Sequence, residues 1–255
     1  MNGILVIAGK DLRSVFYSSL FYIIAGICAL VWSFLFYLGV SQFVSQNMMQ
    51  MLQGGGEGSS LHFTVIARHI SLVNLVMIFA VSSFTVRLFT EEKRQRTFDL
   101  LLTSPVTATQ IAVGKLIAGI LTAWALVGLS LLYPMSLSMF GHIEWGPLAS
   151  SYIGLLLLTA TYVSIGMFAS SLTTNTALSV IMALIFNVML WFLGAAADAS
   201  ENPTQKSILE HLNVGTHFVN FLKGNFSIAG VVFFLSAIFV FTFLTQRVVE
   251  SARWR

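Results

Sequence analysis

Charge is what this 255-residue chain has least of. Asp, Glu, Lys and Arg make up 9% of it, against about a quarter in a soluble domain. That shortage excludes an extensive water-facing surface, and with 56% hydrophobic residues it assigns most of the polypeptide to lipid. Cysteine is nearly absent too: Cys28 stands alone, so an internal disulfide and a thiolate metal site are both excluded. The net charge of +3 comes without a basic block or a base-stacking aromatic array, which argues against nucleic acid. No Gly-x-x-x-x-Gly-Lys-Ser/Thr occurs. Gly114-Lys115 has Thr109 where the first glycine would stand and is followed by Leu116, so the chain cannot cradle ATP by that loop. His-Glu-x-x-His and Gly-x-Ser-x-Gly are missing as well, which leaves hydrolase chemistry without a motif.

What is present is apolar length. A span needs about 20 residues, and such stretches fall at about 20–40, 70–90, 111–139, 148–170, 177–197 and 228–244. The expected fold is an all-α integral membrane protein, a single transmembrane domain over 1–255 with about six spans. Ahead of the first span, Ile4, Leu5, Ala8, Leu12, Val15 and Phe16 recur at helical spacing. Lys10, Asp11, Arg13 and Ser14 fall largely elsewhere around the wheel, so 2–18 reads as an amphipathic helix in the interface plane. Lys10 and Arg13 before an apolar run resemble a signal peptide, yet Leu20 to Val40 offers no small-residue cleavage site, and a retained span is expected. Gly54 to Ser60, rich in glycine, is expected to be a flexible linker. The segment 205–227, with Ile208, Leu212, Phe218 and Phe221, is expected to dip into the outer interface.

Orientation follows from lysine and arginine. With the N-terminus in the cytoplasm, Lys10, Arg13, Arg87, Lys93, Arg94, Arg96, Lys115, Arg247, Arg253 and Arg255 lie inside, and only Arg68, Lys206 and Lys223 lie outside. Both termini are therefore expected in the cytoplasm of a multi-pass protein of the bacterial inner membrane.

One cytoplasmic stretch is unusual. Glu91-Glu92-Lys93-Arg94-Gln95-Arg96 is followed by Thr97, Phe98, Asp99, three leucines (Leu100, Leu101, Leu102), Thr103 and Ser104-Pro105, then by Gly114-Lys115. Proline disfavours helix at the residue before it, and Thr107 with Gln110 has the spacing of a capping box. A short amphipathic helix over about 91–103, held between two spans, is expected. The ordered residues resemble the signature of ABC type-2 exporter permeases: paired glutamates, a Gly-Thr, a leucine-rich turn, Ser-Pro and Gly-Lys. Arg96 stands where that pattern usually has glycine. Ser151 to Leu158, Ile165 to Asn175, His217-Phe218 and Lys223-Gly224 resemble the gliding-motility-associated branch, to which the nitrous-oxide-reductase maturation permease is related.

The resemblance implies that Glu91, Glu92, Thr97, Leu100, Leu101, Leu102, Ser104 and Pro105 couple the chain to a cytoplasmic ABC ATP-binding subunit. It implies that 2–18 is the connecting helix and that a second permease copy or paralogue completes the complex. ATP and magnesium would belong to the partner subunit, with no cofactor in this chain. An outer-face partner follows if the complex does mechanical work on the envelope. Asn74 and Asn187 are candidate path-lining residues, with interhelical hydrogen bonding as the ordinary alternative. The histidines His62, His69, His142, His211 and His217 fall on the outer side without ligand spacing, so no metal site is assigned. The competing reading is a scaffold or a secondary transporter without an ATPase. Inverted repeats and midplane ionisable residues, which that transporter would show, are not evident.

Overall fold

The computed structural model describes residues 3–52, 61–103, 106–139 and 143–253. In chain order these form α1 (Gly3–Phe16), α2 (Ser19–Leu52), a π-helical turn (His62–Ile66) running into α3 (Ala67–Thr85), and a 3-10 turn (Val86–Leu88). The short α4 (Thr90–Arg94) and α5 (Phe98–Thr103) follow, then α6 (Ala108–Ser130) and α7 (Leu132–Leu137). The remaining helices are α8 (Trp145–Leu172), α9 (Thr176–Asp198), α10 (Pro203–Leu212), α11 (Val214–Leu222) and α12 (Ile228–Ala252). No strand occurs among the described residues.

Among the described residues, six helical stretches are long and apolar enough to cross a membrane: Ser19–Gln50, His62–Arg94, Ala108–Leu137, Trp145–Leu172, Thr176–Asp198 and Ile228–Ala252. The protein is an all-α integral membrane protein. The helices run beyond the apolar windows, and polar side chains there bond back to their own helix. In α2, Ser41 Oγ donates to the Leu38 carbonyl and Ser45 Oγ to that of Ser41, which leaves neither hydroxyl unpaired along Ser-Gln-Phe-Val-Ser-Gln.

α8 is the centre of the bundle. Its row of small residues lets neighbours approach closely, the means by which helices associate in lipid. A Cβ on Gly166 would lie 2.2 Å from Thr85 Oγ1 of α3, and one on Gly154 would lie 2.5 Å from Phe221 of α11. From α6, Gly119 admits Val163 in the same way. α1 rests on the start of α6, where Gly114 faces the Ile4 carbonyl and Ile7. The core runs through Ile70, Val73, Met77, Ile111, Leu126, Leu155, Leu158, Tyr162 and Phe234. The expected outer segment is the pair α10 and α11: α10 buries nothing, whereas α11 inserts Val214, Phe218, Phe221 and Leu222.

Candidate functional site: an ion-pair junction

Chemistry-bearing side chains converge where α1, the segment after span two, and the start of span three meet. Lys10 and Asp11 are adjacent on the polar edge of α1. Gly114 brings that helix against α6, so the next residue, Lys115, reaches it. Lys115 Nζ lies 3.0 Å from Asp11 Oδ2 and 2.9 Å from Glu92 Oε2, with its side chain only 1% exposed. The Phe89 ring lies under the ammonium, 5.0 Å from its centroid. Lys10, largely in water, closes the group at 2.8 Å from Glu92 Oε1. Two cations and two carboxylates therefore balance, which is the condition for keeping such charges out of water. Glu92 joins the segment after span two to α1 and to span three at once.

Burial alone would lower the Lys10 pKa, but the hydrogen bond and charge of Glu92 outweigh it and raise it above its ordinary 10.5. A raised lysine stabilises the fold fully below its unfolded pKa. That contribution is lost only as pH rises through the folded value, so this contact persists at physiological pH.

The same segment is moored to span four. The amides of Phe89 and Thr90 both donate to Ser170 Oγ at 3.1 Å, and Ser170 Oγ donates to the Val86 carbonyl at 2.8 Å. Lys93 Nζ donates to the Ser171 carbonyl. Glu91 turns the other way, 3.9 Å from Arg87, whose guanidinium also donates to Ser18 Oγ at 2.8 Å. A cleft of about 360 Å³ lies among these groups, lined by residues such as Ser14, Arg87, Glu91 and Gln95.

The helix expected over 91–103 is two helices. α4 closes with the Arg96 amide donating to the Lys93 carbonyl (3.2 Å) and the Thr97 amide to the Glu92 carbonyl (3.0 Å). This is the double hydrogen bond of a Schellman close, which puts its penultimate residue in the left-handed region. Arg96 has φ 57°, and it occupies the position where the resembled pattern carries glycine. After the break, Phe98 is buried against Phe89. The leucines divide: Leu100 is 71% exposed, while Leu101 packs partly against the core. Ser104 and Pro105 lie outside the described residues, as does the side chain of Leu102. Thr107 and Gln110 form the reciprocal capping box of α6.

The intramembrane asparagines lie elsewhere. Asn74 Oδ1 accepts from Tyr162 Oη at 3.0 Å, and Tyr162 Oη accepts from Trp191 Nε1 at 2.7 Å, so spans two, four and five share one polar chain. Asn74 also lines a largely apolar cavity of about 430 Å³ with Leu75, Ile78, Trp191 and Phe218. Asn187 is fully buried and donates to Ser82 Oγ at 3.2 Å. Of the histidines, His62 shares a hydrogen bond with the Leu222 carbonyl, His69 packs between Phe36 and Tyr133, and His217 stacks on Phe233. His142 lies outside the described residues.

Sequence reasoning placed Glu92 at the junction but missed Asp11, Ser170 and the buried role of Lys115. Lys115 was visible as a cytoplasmic cation and as part of the resembled Gly-Lys, not as a buried ion-pair partner. The signal that could have found its role is a lysine a full two turns inside an apolar helix, which demands a buried counter-ion.

Residues 5–252 match the model of a family described as ABC-2 family transporter protein. Comparison with curated proteins finds no match.

Proposed function

The match runs through nearly the whole chain, so the protein belongs to the ABC-2 family transporter proteins, membrane permease components of ABC transporters, and from that premise we propose that it converts ATP hydrolysis by a separate subunit into export or into mechanical work on an envelope partner. ATP and magnesium are held by that subunit, and a second copy or paralogue of this chain completes the membrane path. The lysine and arginine asymmetry supports a bacterial inner-membrane location with both termini in the cytoplasm. The residues over 151–175 and 217–224 support the finer placement beside the gliding-motility-associated permeases.

The observation that carries the reading is the three-way mooring of 90–103. A segment that only connected two spans would not need Glu92 on α1 and span three together with Thr90 and Lys93 on the end of span four. Displacement of α4 and α5 by a docked ATPase thereby reaches α1 and three spans together. The apolar contact is Leu100, which faces outward. Burying a leucine contributes about 1.5–3 kcal/mol, whereas an exposed ion pair adds about 0–1 kcal/mol, so docking rests on Leu100 and transmission rests on Glu92. Asn74, beside the apolar cavity, is the candidate path-lining residue; Asn187 extends that assignment along span five.

The test is copurification of the ATP-binding subunit from membranes, scored beside ATPase activity. Leu100→Asp should release the subunit. Glu92→Gln should retain it while uncoupling ATP hydrolysis from transport. Retention of the subunit by Leu100→Asp at the wild-type level removes α5 as the dock, and failure to find any ATPase with the wild-type complex favours the scaffold reading.

A further inference from the structure

α2 has two faces with different destinies. One carries Phe21, Cys28 and Trp32, all buried, and meets the neighbouring helices through contacts such as Tyr133 Oη donating to the Ala29 carbonyl at 2.7 Å. The opposite face carries Ile23, Ile27, Leu30, Phe34, Tyr37, Ser41, Val44 and Met48. Their spacing alternates four and three without a break, which is the 3.5-residue repeat of a helix that coils around another. Every one of them except Ser41 is more than half exposed.

Lipid does not account for this stripe. A bilayer's hydrocarbon is about 30 Å thick, a length that about 20 helical residues cross, and α2 has 34 residues. Counted from Ser19, Val44 and Met48 lie beyond the hydrocarbon, where apolar side chains in a row mark a protein contact. Inside the hydrocarbon, lipid asks for apolar residues but not for a heptad register.

We propose that this face is the seam along which a second copy of the chain packs, α2 against α2, parallel and about a two-fold axis normal to the membrane. The proposal rests on the reading of the protein as a permease component that works in pairs, and it assigns the pairing surface. Three observations select a second copy as the occupant. From Ile23 to Leu52 the helix carries no charged residue, so two identical helices in register meet no like charges. An isologous contact needs a self-complementary surface, and a heptad seam is one. The seven exposed side chains together offer on the order of the 800 Å² per partner that a standard interface buries. Ser41 is the one polar position in the seam, and its hydroxyl is already satisfied by the Leu38 carbonyl, so it enters the contact without an unpaired donor.

The experiment is oxidative cross-linking of the full chain in native membranes, in a Cys28→Ser background with single cysteines. Val44→Cys and Met48→Cys sit on the seam; Gln46→Cys and Gln50→Cys sit on the other side of the same turns and are also exposed. Phe192→Cys on α9 and Phe239→Cys on α12 sample the other large apolar faces. A dimer-sized band is expected at Val44 and Met48, with loss of the band at Gln46 and Gln50, and the monomer band confirms that each variant is made. Dimers at Phe192 or Phe239 with none on the seam overturn the assignment while leaving pairing intact. No dimer at any position overturns both. Because the readout is independent of ATPase binding, loss of the coupling reading alone leaves the seam standing.

Discussion

Span four (α8) and span one (α2) are both strongly apolar, and span one is the more apolar by mean hydropathy. Yet 78% of the span-four window is buried inside the molecule and 11% of the span-one window. The difference lies in side-chain size. Span four carries Ser150, Ser151, Gly154, Thr159, Ala160, Thr161, Ser164, Gly166 and Ala169, which let helices close to backbone distance. Span one carries Tyr22, Phe34, Phe36 and Tyr37, and a Cβ on its Gly26 or Gly39 would meet nothing within 4 Å. Hydropathy reports that a helix belongs in a membrane. The distribution of small residues reports whether it belongs in the middle of the protein.

The largest test of this contrast removes one cation from each side. Lys115→Met takes the charge from the packed bundle and leaves the buried Asp11 and partly buried Glu92 carboxylates with only Lys10. Breaking a buried pair this way costs about 3–5 kcal/mol. Arg68→Met takes a charge from the loose side, where the guanidinium donates to Gln42 Oε1 in an exposed contact, and should cost about 1 kcal/mol or less. Thermal unfolding in detergent compares the two. Adding Asp11→Asn and Glu92→Gln to Lys115→Met should recover most of the loss, since a neutral buried cluster carries no unpaired charge. Equal losses for the two single variants break the comparison.

A smaller effect comes from one methyl group. Gly166→Ala places a Cβ 2.2 Å from Thr85 Oγ1 and 2.9 Å from Thr85 Cβ. Overpacking of this kind costs roughly 1–3 kcal/mol. Gly26→Ala meets open space, so only the helix preference of alanine acts, in favour of folding by up to about 1 kcal/mol. The two substitutions should move the unfolding temperature in opposite directions. A fall for both shows that α2 is gripped by something other than the contacts described.

Much of this was legible before any coordinates. Apolar length located six spans, and the ordered residues from Glu91 to Lys115 marked the junction. Three features were not. The twelve residues of α2 beyond Val40 look polar in part, because a hydropathy window does not see serine hydroxyls returning to the helix's own carbonyls. Lys115 and Asp11 lie 104 positions apart, and nothing local in either segment names the other. Leu100, Leu101 and Leu102 read as one apolar block, and only the packing of Phe98 against Phe89 decides that Leu100 faces out while Leu101 turns in.

The smallest effect is a backbone one, independent of both the packed and the loose side. Arg96 is exposed and at φ 57°, so its cost lies in the conformation rather than in contacts. A residue with a Cβ pays about 1–2 kcal/mol to stand in the left-handed region, and glycine pays nothing for it sterically but brings a more flexible unfolded chain. The two Schellman hydrogen bonds, Arg96 N–H to Lys93 and Thr97 N–H to Glu92, use backbone atoms that glycine also supplies. Arg96→Gly should therefore keep the break between α4 and α5 and raise stability by up to about 1 kcal/mol, near the limit of a thermal melt. Arg96→Val should lower it, because β-branching makes that region costlier still. A clear loss on Arg96→Gly would mean that the guanidinium makes a contact of its own, and under the proposed function the candidate for that contact is the ATP-binding subunit. Repeating the melt with the subunit bound separates the cases: a penalty that appears only in the complex belongs to the interface, and one present in the isolated chain belongs to the fold.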